Sequence, residues 1–332
     1  MNPRMSRRMR TVLLLLFICT FIFLLSSLRS PATDDATNLE PSIPAASKLQ
    51  PRVPDQILLQ QSSEAEPAPP VEVVTPQVDP DAERKNTFVS IFENNGWGNP
   101  ESRSGPGSTV RNTARIRNFI DTVINHFSIQ TFLDAPCGDC NWQPGIPSFS
   151  KIAYTGADIV PNVIIQNMRK YLYKPNMRFV NLDLAMDAVP HDAFDAILCR
   201  DAIQHLPLED GLKIYSNFQR SGAKYLITNF HDPRKGNFQN TNIKPGDFYH
   251  NNPLLPPFNF SLPLFYTIDA SDEHLVQNMW ERKYVAVWRL PVIGLGNGTA
   301  FVPDEEAAKK GIVPVSDEGR SILEELGLLR SA

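Results

Sequence analysis

The sequence predicts an α/β domain wound on both faces of a mostly parallel, seven-stranded sheet. Two observations carry that expectation. Short apolar runs bounded by Gly, Pro, Asn or Asp alternate with longer segments whose apolar residues recur at helical spacing. One such run, residues 131–133, ends in Asp134 and is broken by Pro136 and Gly138; a second, Tyr154-Thr-Gly-Ala-Asp158, ends in an acid 24 positions further on. Strand, glycine turn and an acid about 20 residues later is the layout of a nucleotide pocket at the edge of a parallel sheet. There Gly138 would let the backbone approach the ligand, and Asp158 would accept hydrogen bonds from both hydroxyls of a ribose.

The other elements follow in order. Residues 87–92 read as a short helix or strand. Residues 94–108 hold four glycines, two prolines and Trp97, the composition of a structured loop. A helix begins at Thr109, with Ile116, Phe119, Ile120 and Val123 at helical spacing. Pro161 opens the next helix, at the first position, where proline fits. Residues 177–180 are a third strand, ending in Asn181-Leu-Asp183. Residues 194–199 are a fourth, running into Arg200-Asp-Ala-Ile-Gln-His205-Leu-Pro. A helix over residues 208–218 stops before Gly222. Residues 224–228 form the fifth strand, followed by Asn229-Phe-His231-Asp232. Residues 233–263 are a long polar connection, of the kind that is often functional. Residues 265–268 and 284–290 supply the last two strands, and residues 321–329 one short helix in the tail.

The glycine turn is not a G-x-G-x-x-G. Gly138 is its one glycine, and Asp139 sits where a pyrophosphate would need positive potential. A carboxylate there repels a diphosphate and tolerates a cationic, phosphate-free ligand. S-adenosylmethionine, with its sulfonium and ammonium groups, is such a ligand. Over roughly residues 88–290 the sequence resembles the class I, Rossmann-like S-adenosylmethionine-dependent methyltransferases. Residues 134–139 look like their first motif, Asp158 like the acid closing their second strand, and Cys-Arg-Asp-x-x-x-His-Leu like the motif after strand four in one subgroup.

The resemblance implies a cofactor set of Trp97, Arg103, Asp134, Gly138, Asp139, Asp158, Asp183 and Arg200. Arg103 would bind the carboxylate of the methionine moiety from a lid formed by residues 94–108; the other reading of that stretch is a surface loop with Trp97 tucked into the core. Asp183 would contact the adenine amino group, or else cap the next segment. Asp201 and His205, four apart, would share a face if helical. His205 is the preferred base toward an acceptor hydroxyl, because its ordinary pKa of about 6.5 suits near-neutral conditions. Asp201 would orient it or bind the cofactor, and His231 is the reserve; the other reading has Asp201 capping a helix and His205 as a structural histidine. Asp201, His205, His231 and Asp232 have no metal-ligand spacing, and metal assistance stays open. The acceptor would be a glycan or small molecule, or on the second reading a protein; Asn240, Asn242, Tyr249 and Asn251 would hold it over a floor of Phe258 and Phe260, or else residues 233–263 are a solvated surface loop with no ligand. A non-catalytic binding module of the same fold is the reading from another class.

The chain has 332 residues, 42% hydrophobic content and a net charge of −4. This is ample for one core, and the charge points to neither a nucleic acid nor an anionic membrane surface as partner. Residues 1–10 carry four arginines, and residues 11–28 carry no charge. A membrane anchor with a cytosolic basic flank is the expected reading; the rival, a cleaved signal peptide, lacks a good small-x-small site. Residues 29–85 contain ten of the 29 prolines and read as a disordered stalk. The domain is expected over 86–292 and a tail over 293–332. Anchor, stalk and head resemble in build the glycan-modifying enzymes of the Golgi, so a luminal head in the Golgi or endoplasmic reticulum is expected. The sequons at Asn259 and Asn297 permit that location. Cys137 and Cys140 form a C-x-x-C with no second pair, which excludes a zinc site and leaves a redox pair as the minor reading.

Overall fold

Helix α1 (Pro80–Glu93) opens the part of the chain that the computed structural model describes, residues 79–234, 239–270 and 282–329. The basic flank, the expected anchor and the stalk up to residue 78 lie outside the described residues. Among the described residues no helix is long and apolar enough to cross a membrane. The Asp79 carboxylate accepts the Asp81 N–H at 3.0 Å, and Pro80 fills the first turn. Such a cap and proline start a helix, here within the stretch that composition alone assigns to the stalk.

Helix α2 (Ala114–His126) buries Ile116, Phe119, Ile120 and Val123; it starts later than the periodicity suggests, because residues 110–113 form a turn after the 3₁₀ turn at 106–108. Then come β1 (Thr131–Asp134), β2 (Ala153–Asp158), α3 (Pro161–Lys170), β3 (Met177–Asn181), β4 (Ala196–Cys199), α4 (Leu208–Arg220) and β5 (Tyr225–His231). The chain closes with β6 (Phe265–Ile268), β7 (Lys283–Arg289), α5 (Glu305–Lys310), β8 (Val313–Pro314) and α6 (Asp317–Glu325).

The sheet order is β3-β2-β1-β4-β5-β7-β6-β8. The first five strands are parallel and the last three antiparallel to their neighbours. The eighth strand, absent from the expectation, comes from the tail. It is two residues long, too short to leave a period in sequence, and it pairs with β6. Ile322 and Leu323 of α6 join the same core as α2. A second core cluster on the other face takes in Ile214, Tyr215 and Phe218 of α4. The described residues belong to one compact unit, and both core clusters lie within it.

Strand order reverses between β1 and β4, the switch point at which open α/β sheets bind ligands. The carboxyl ends of β1, β2, β4 and β5 bring Asp134, Asp158, Arg200, Asp201 and His231 to one rim. Strand β7 runs the other way, so its first residue, Lys283, lies opposite His231 and reaches the same rim.

Candidate active site

Two cavities adjoin on this rim. The first, about 990 Å³, lies over β1 and β2 and is lined by Asp134, Gly138, Asp158, Asp183, Asp201, Arg84 and Arg200, with Ser104, Ser108 and Gln143 among a mostly apolar remainder. Its turn is tight. Gly138 sits at φ +54°, and a Cβ there would lie 2.2 Å from Ser104 Oγ, so a side chain is excluded by both conformation and space. Asp158 accepts the Gly138 N–H and the Val160 N–H, each at 3.0 Å. Burial pushes its carboxyl up to about 6, against those two N–H groups. Asp134 accepts from Gln143 Nε2 (2.8 Å) and the Tyr154 hydroxyl (2.7 Å); burial raises it to about 7, against those same donors.

Arg84 was invisible to sequence reasoning because it falls in the stretch read as stalk. It is buried on α1 and donates to Asp183 (2.7 Å), Asp210 (2.9 Å) and Asp81 (3.0 Å). Asp183 is therefore committed to Arg84 and to the Ala185 N–H at 3.1 Å; it lines the cavity, but as the partner of an arginine and a local cap. Two other expectations are corrected. Arg103 is exposed and turns away from the cavity, donating to the carbonyls of Phe92 (2.8 Å) and Glu93 (3.0 Å), where it caps the end of α1. Asp139 points at the loop rather than the cavity. It accepts from Ser102 Oγ (2.9 Å), the Arg103 N–H (2.8 Å) and Ser104 Oγ (3.2 Å). It thus pins residues 102–104 over the rim. Trp97, from the same loop, is half-buried and lines both cavities, as a lid residue would.

The second cavity, about 1100 Å³, shares Trp97, Ser104, Arg200 and Asp201 with the first and adds His205, His231, Phe248, Asp269 and Lys283. Asp201 and His205 do not share a helical face. Only residues 203–205 form a 3₁₀ turn, and Asp201 stands at φ +55°, a left-handed conformation rare outside glycine. Its N–H is fixed on Asn229 Oδ1 at 2.8 Å. Burial alone would raise the Asp201 carboxyl. Arg200 at 3.0 Å and Lys283 at 2.5 Å overcome that and hold it far below the usual range. Arg200 is bidentate to Asp269, 2.8 Å on each arm, so two cations and two carboxylates close a balanced quartet on the floor between the cavities.

His205 stands between the rings of Trp97 and Phe248, with centroids 5.6 and 5.7 Å away. Its Nδ1 lies 2.9 Å from the Asp247 carbonyl, not from Asp201. A carbonyl only accepts, so Nδ1 carries the proton and Nε2 is the basic nitrogen. Burial lowers its pKa. His231 is fully buried, with Nδ1 3.2 Å from the Asn251 carbonyl. Burial, then Lys283 and His250, push it down to about 3, so it is neutral at physiological pH.

The long connection contributes differently from expectation. Asn240 donates to the carbonyls of Asn252 (2.9 Å) and Pro256 (2.8 Å), and Asn242 Oδ1 accepts the Leu208 N–H at 3.0 Å. Tyr249 and Asn251 are buried, and Phe258 and Phe260 pack edge-on against Tyr215 in the core. None of the six lines the second cavity; Phe248 does. Asp232 is engaged with Arg234. The two thiols of the C-x-x-C are buried and pushed up by burial, which removes the thiolate a redox pair needs. Lys283 and Asp269 lie beyond the parallel strands. Their signal in sequence was only that a charge opens or follows an apolar strand.

No protein-family model matches the chain, and no curated protein matches it. Solved structures similar to it include magnesium protoporphyrin IX methyltransferase from Synechocystis with S-adenosylmethionine bound, at 16% identity and TM-score 0.42 over 65% of this chain and 100% of that one. Haemonchus contortus phosphoethanolamine N-methyltransferase 1, with phosphoethanolamine and S-adenosylhomocysteine, is 11% identical with TM-score 0.41 over 67% and 52%. The N-methyltransferase NodS of Bradyrhizobium japonicum, with S-adenosylhomocysteine, is 14% identical with TM-score 0.37 over 45% and 74%. Likeness of this size identifies no activity and no ligand.

Proposed function

We propose that the protein is an S-adenosylmethionine-dependent methyltransferase whose acceptor is a hydroxyl of a sugar or glycan. One observation carries the reading: two cavities meet on the carboxyl rim of the sheet, one acidic at the cofactor position and one holding a histidine between aromatic walls. The residues of the first cavity fit the cofactor. Its titratable lining counts four carboxylates (Asp134, Asp158, Asp183, Asp201) against two arginines (Arg84, Arg200), an excess that favours a cation. Asp158 lies where a ribose diol would be accepted, and the side-chain-free turn at Gly138 admits close approach. When bound, the cofactor supplies an electrophilic methyl group.

The chain's own residues do the rest. In the second cavity Asp201 and Asp269 are matched by Arg200 and Lys283, so the acceptor needs no compensating charge. Trp97 and Phe248 offer flat apolar faces, and His205 Nε2 is the group to take a hydroxyl proton. A neutral, hydroxyl-rich ring suits these partners.

Calorimetric titration of residues 73–332 with S-adenosylmethionine tests the cofactor. A cation beside Asp134 and Asp158 stabilises their ionised forms, so the raised carboxyls must lose protons on binding. Between about pH 6 and 7 binding should release protons, seen as a heat that varies with the buffer, and should tighten as pH rises through that window. Absence of binding sinks the reading. The same proposal places the head in the secretory lumen behind a single span at residues 11–28. In intact microsomes the head should resist added protease until detergent is present; digestion without detergent would reverse the orientation.

A further inference from the structure

We propose that Asn297 carries an N-linked glycan and that Asn259, the asparagine of the other sequon, does not. The inference rests on the luminal head proposed above. The two triplets, Asn259-Phe-Ser and Asn297-Gly-Thr, read alike in sequence and differ in the fold. Asn297 is exposed, in the loop between β7 and α5. Its Oδ1 accepts the Thr299 N–H at 3.0 Å, which closes an Asx turn over the triplet. That leaves Nδ2, the atom to be modified, without a hydrogen-bond partner among the described residues, and the Thr299 hydroxyl is exposed and equally free. An exposed loop of this kind is where a glycan is accommodated. In the transfer, Nδ2 bonds the anomeric carbon of an oligosaccharide carried on a polyprenyl diphosphate. The anomeric C–O bond breaks, its electron pair leaves with the diphosphate, and Nδ2 gives up one proton.

Asn259 stands under that same loop. Its carbonyl accepts the Gly296 N–H at 2.8 Å, and a Cβ on Gly296 would lie 1.9 Å from the Phe260 carbonyl oxygen. Space that excludes a methyl group has no room for a sugar. Asn259 Oδ1 is buried without a partner, and Phe260, at the centre of its triplet, is buried in the core. An oligosaccharide on Asn259 would have to lift residues 296–298 off the body. The position of Asn297 also spares the site. Strand β7 runs away from the ligand rim, and Arg289 at its end pairs with Tyr225 at the start of β5. The loop that follows therefore leaves from the opposite edge of the sheet, and no residue of 290–299 lines either cavity.

The test is the mass of the full-length protein from microsomes of transfected animal cells, before and after peptide N-glycosidase, with protease protection measured on the same microsomes. The protected head should carry one glycan that the enzyme removes. Asn297→Gln and Thr299→Ala should each abolish it, Thr299→Ser should retain it, and Ser261→Ala, which destroys the other sequon without touching Asn259, should leave it in place. Cofactor affinity should be the same in the glycosylated protein and in Asn297→Gln. A protected head with no removable glycan overturns the site and leaves the luminal reading standing; a head digested without detergent overturns both. A glycan lost with Ser261→Ala, alone or beside one on Asn297, overturns the choice between the two triplets.

Discussion

Asp158→Ala should weaken S-adenosylmethionine binding by about 3 kcal/mol, roughly a hundredfold rise in Kd. The carboxylate ends β2 inside the first cavity, and its own N–H partners come from the Gly138 turn and from Val160 at the start of α3. The substitution removes a charged acceptor for the ribose hydroxyls and also loosens the turn that faces them. Asp158→Asn separates these effects, since an amide oxygen can still accept one backbone N–H while the charge is gone. If charge recognition dominates, Asn should lose most of the affinity that Ala loses and keep more of the melting temperature. With the carboxyl at about 6, protonation removes the acceptor at low pH, so wild-type affinity should fall below about pH 6 and the Ala variant should keep only the part of that dependence that Asp134 contributes. Calorimetry showing unchanged affinity in a folded variant would remove Asp158 from the cofactor site.

Asp158 and Gly138 were legible in sequence because their chemistry is local: a strand end, a glycine turn, and a spacing fixed by one βαβ unit. What could not be read was set by contacts between distant elements. Asp139 closes the motif and Arg103 lies in the loop read as a lid, yet Asp139 binds residues 35 to 37 positions away and Arg103 caps a helix end. Membership of the motif and of the loop assigned both to a cofactor that they do not face. Arg84 failed the other way. Its segment is proline-rich upstream and has almost no amphipathic period, because α1 is held by two ion pairs and by a small apolar cluster of Phe92, Val160 and Val163. A helix fixed by charges to Asp183 and Asp210 leaves no hydrophobic stripe to read. The loop after β5 misled through composition. Its amides looked like sugar ligands, but Asn240 serves the carbonyls of its own loop and Asn242 the first turn of α4.

His205→Ala should lower turnover by about 10²- to 10⁴-fold while leaving cofactor affinity near wild type. A sugar hydroxyl is a weak acid, so removing its proton as the methyl group transfers needs a base already aligned. The Asp247 carbonyl fixes the tautomer that exposes Nε2, and Trp97 and Phe248 fix the plane of the ring. Burial holds the imidazole below its ordinary pKa, so it is the neutral, competent base at pH 7. The sign follows: turnover should hold steady as pH falls from 7 to about 6.5 and then drop as the ring protonates through its lowered pKa. His205→Asn keeps a polar side chain at the position without a basic nitrogen, so it should fail as badly as Ala in turnover. His231, at about 3 and fully buried, lacks the basicity to replace it. Asp201, held ionised by Arg200 and Lys283, is too weak a base for the same task. If both His205 variants turn over a sugar acceptor at near wild-type rates, the ring is a structural filler between two aromatic walls. If cofactor affinity collapses with turnover, His205 belongs to the first cavity and the division of roles between the two cavities is wrong.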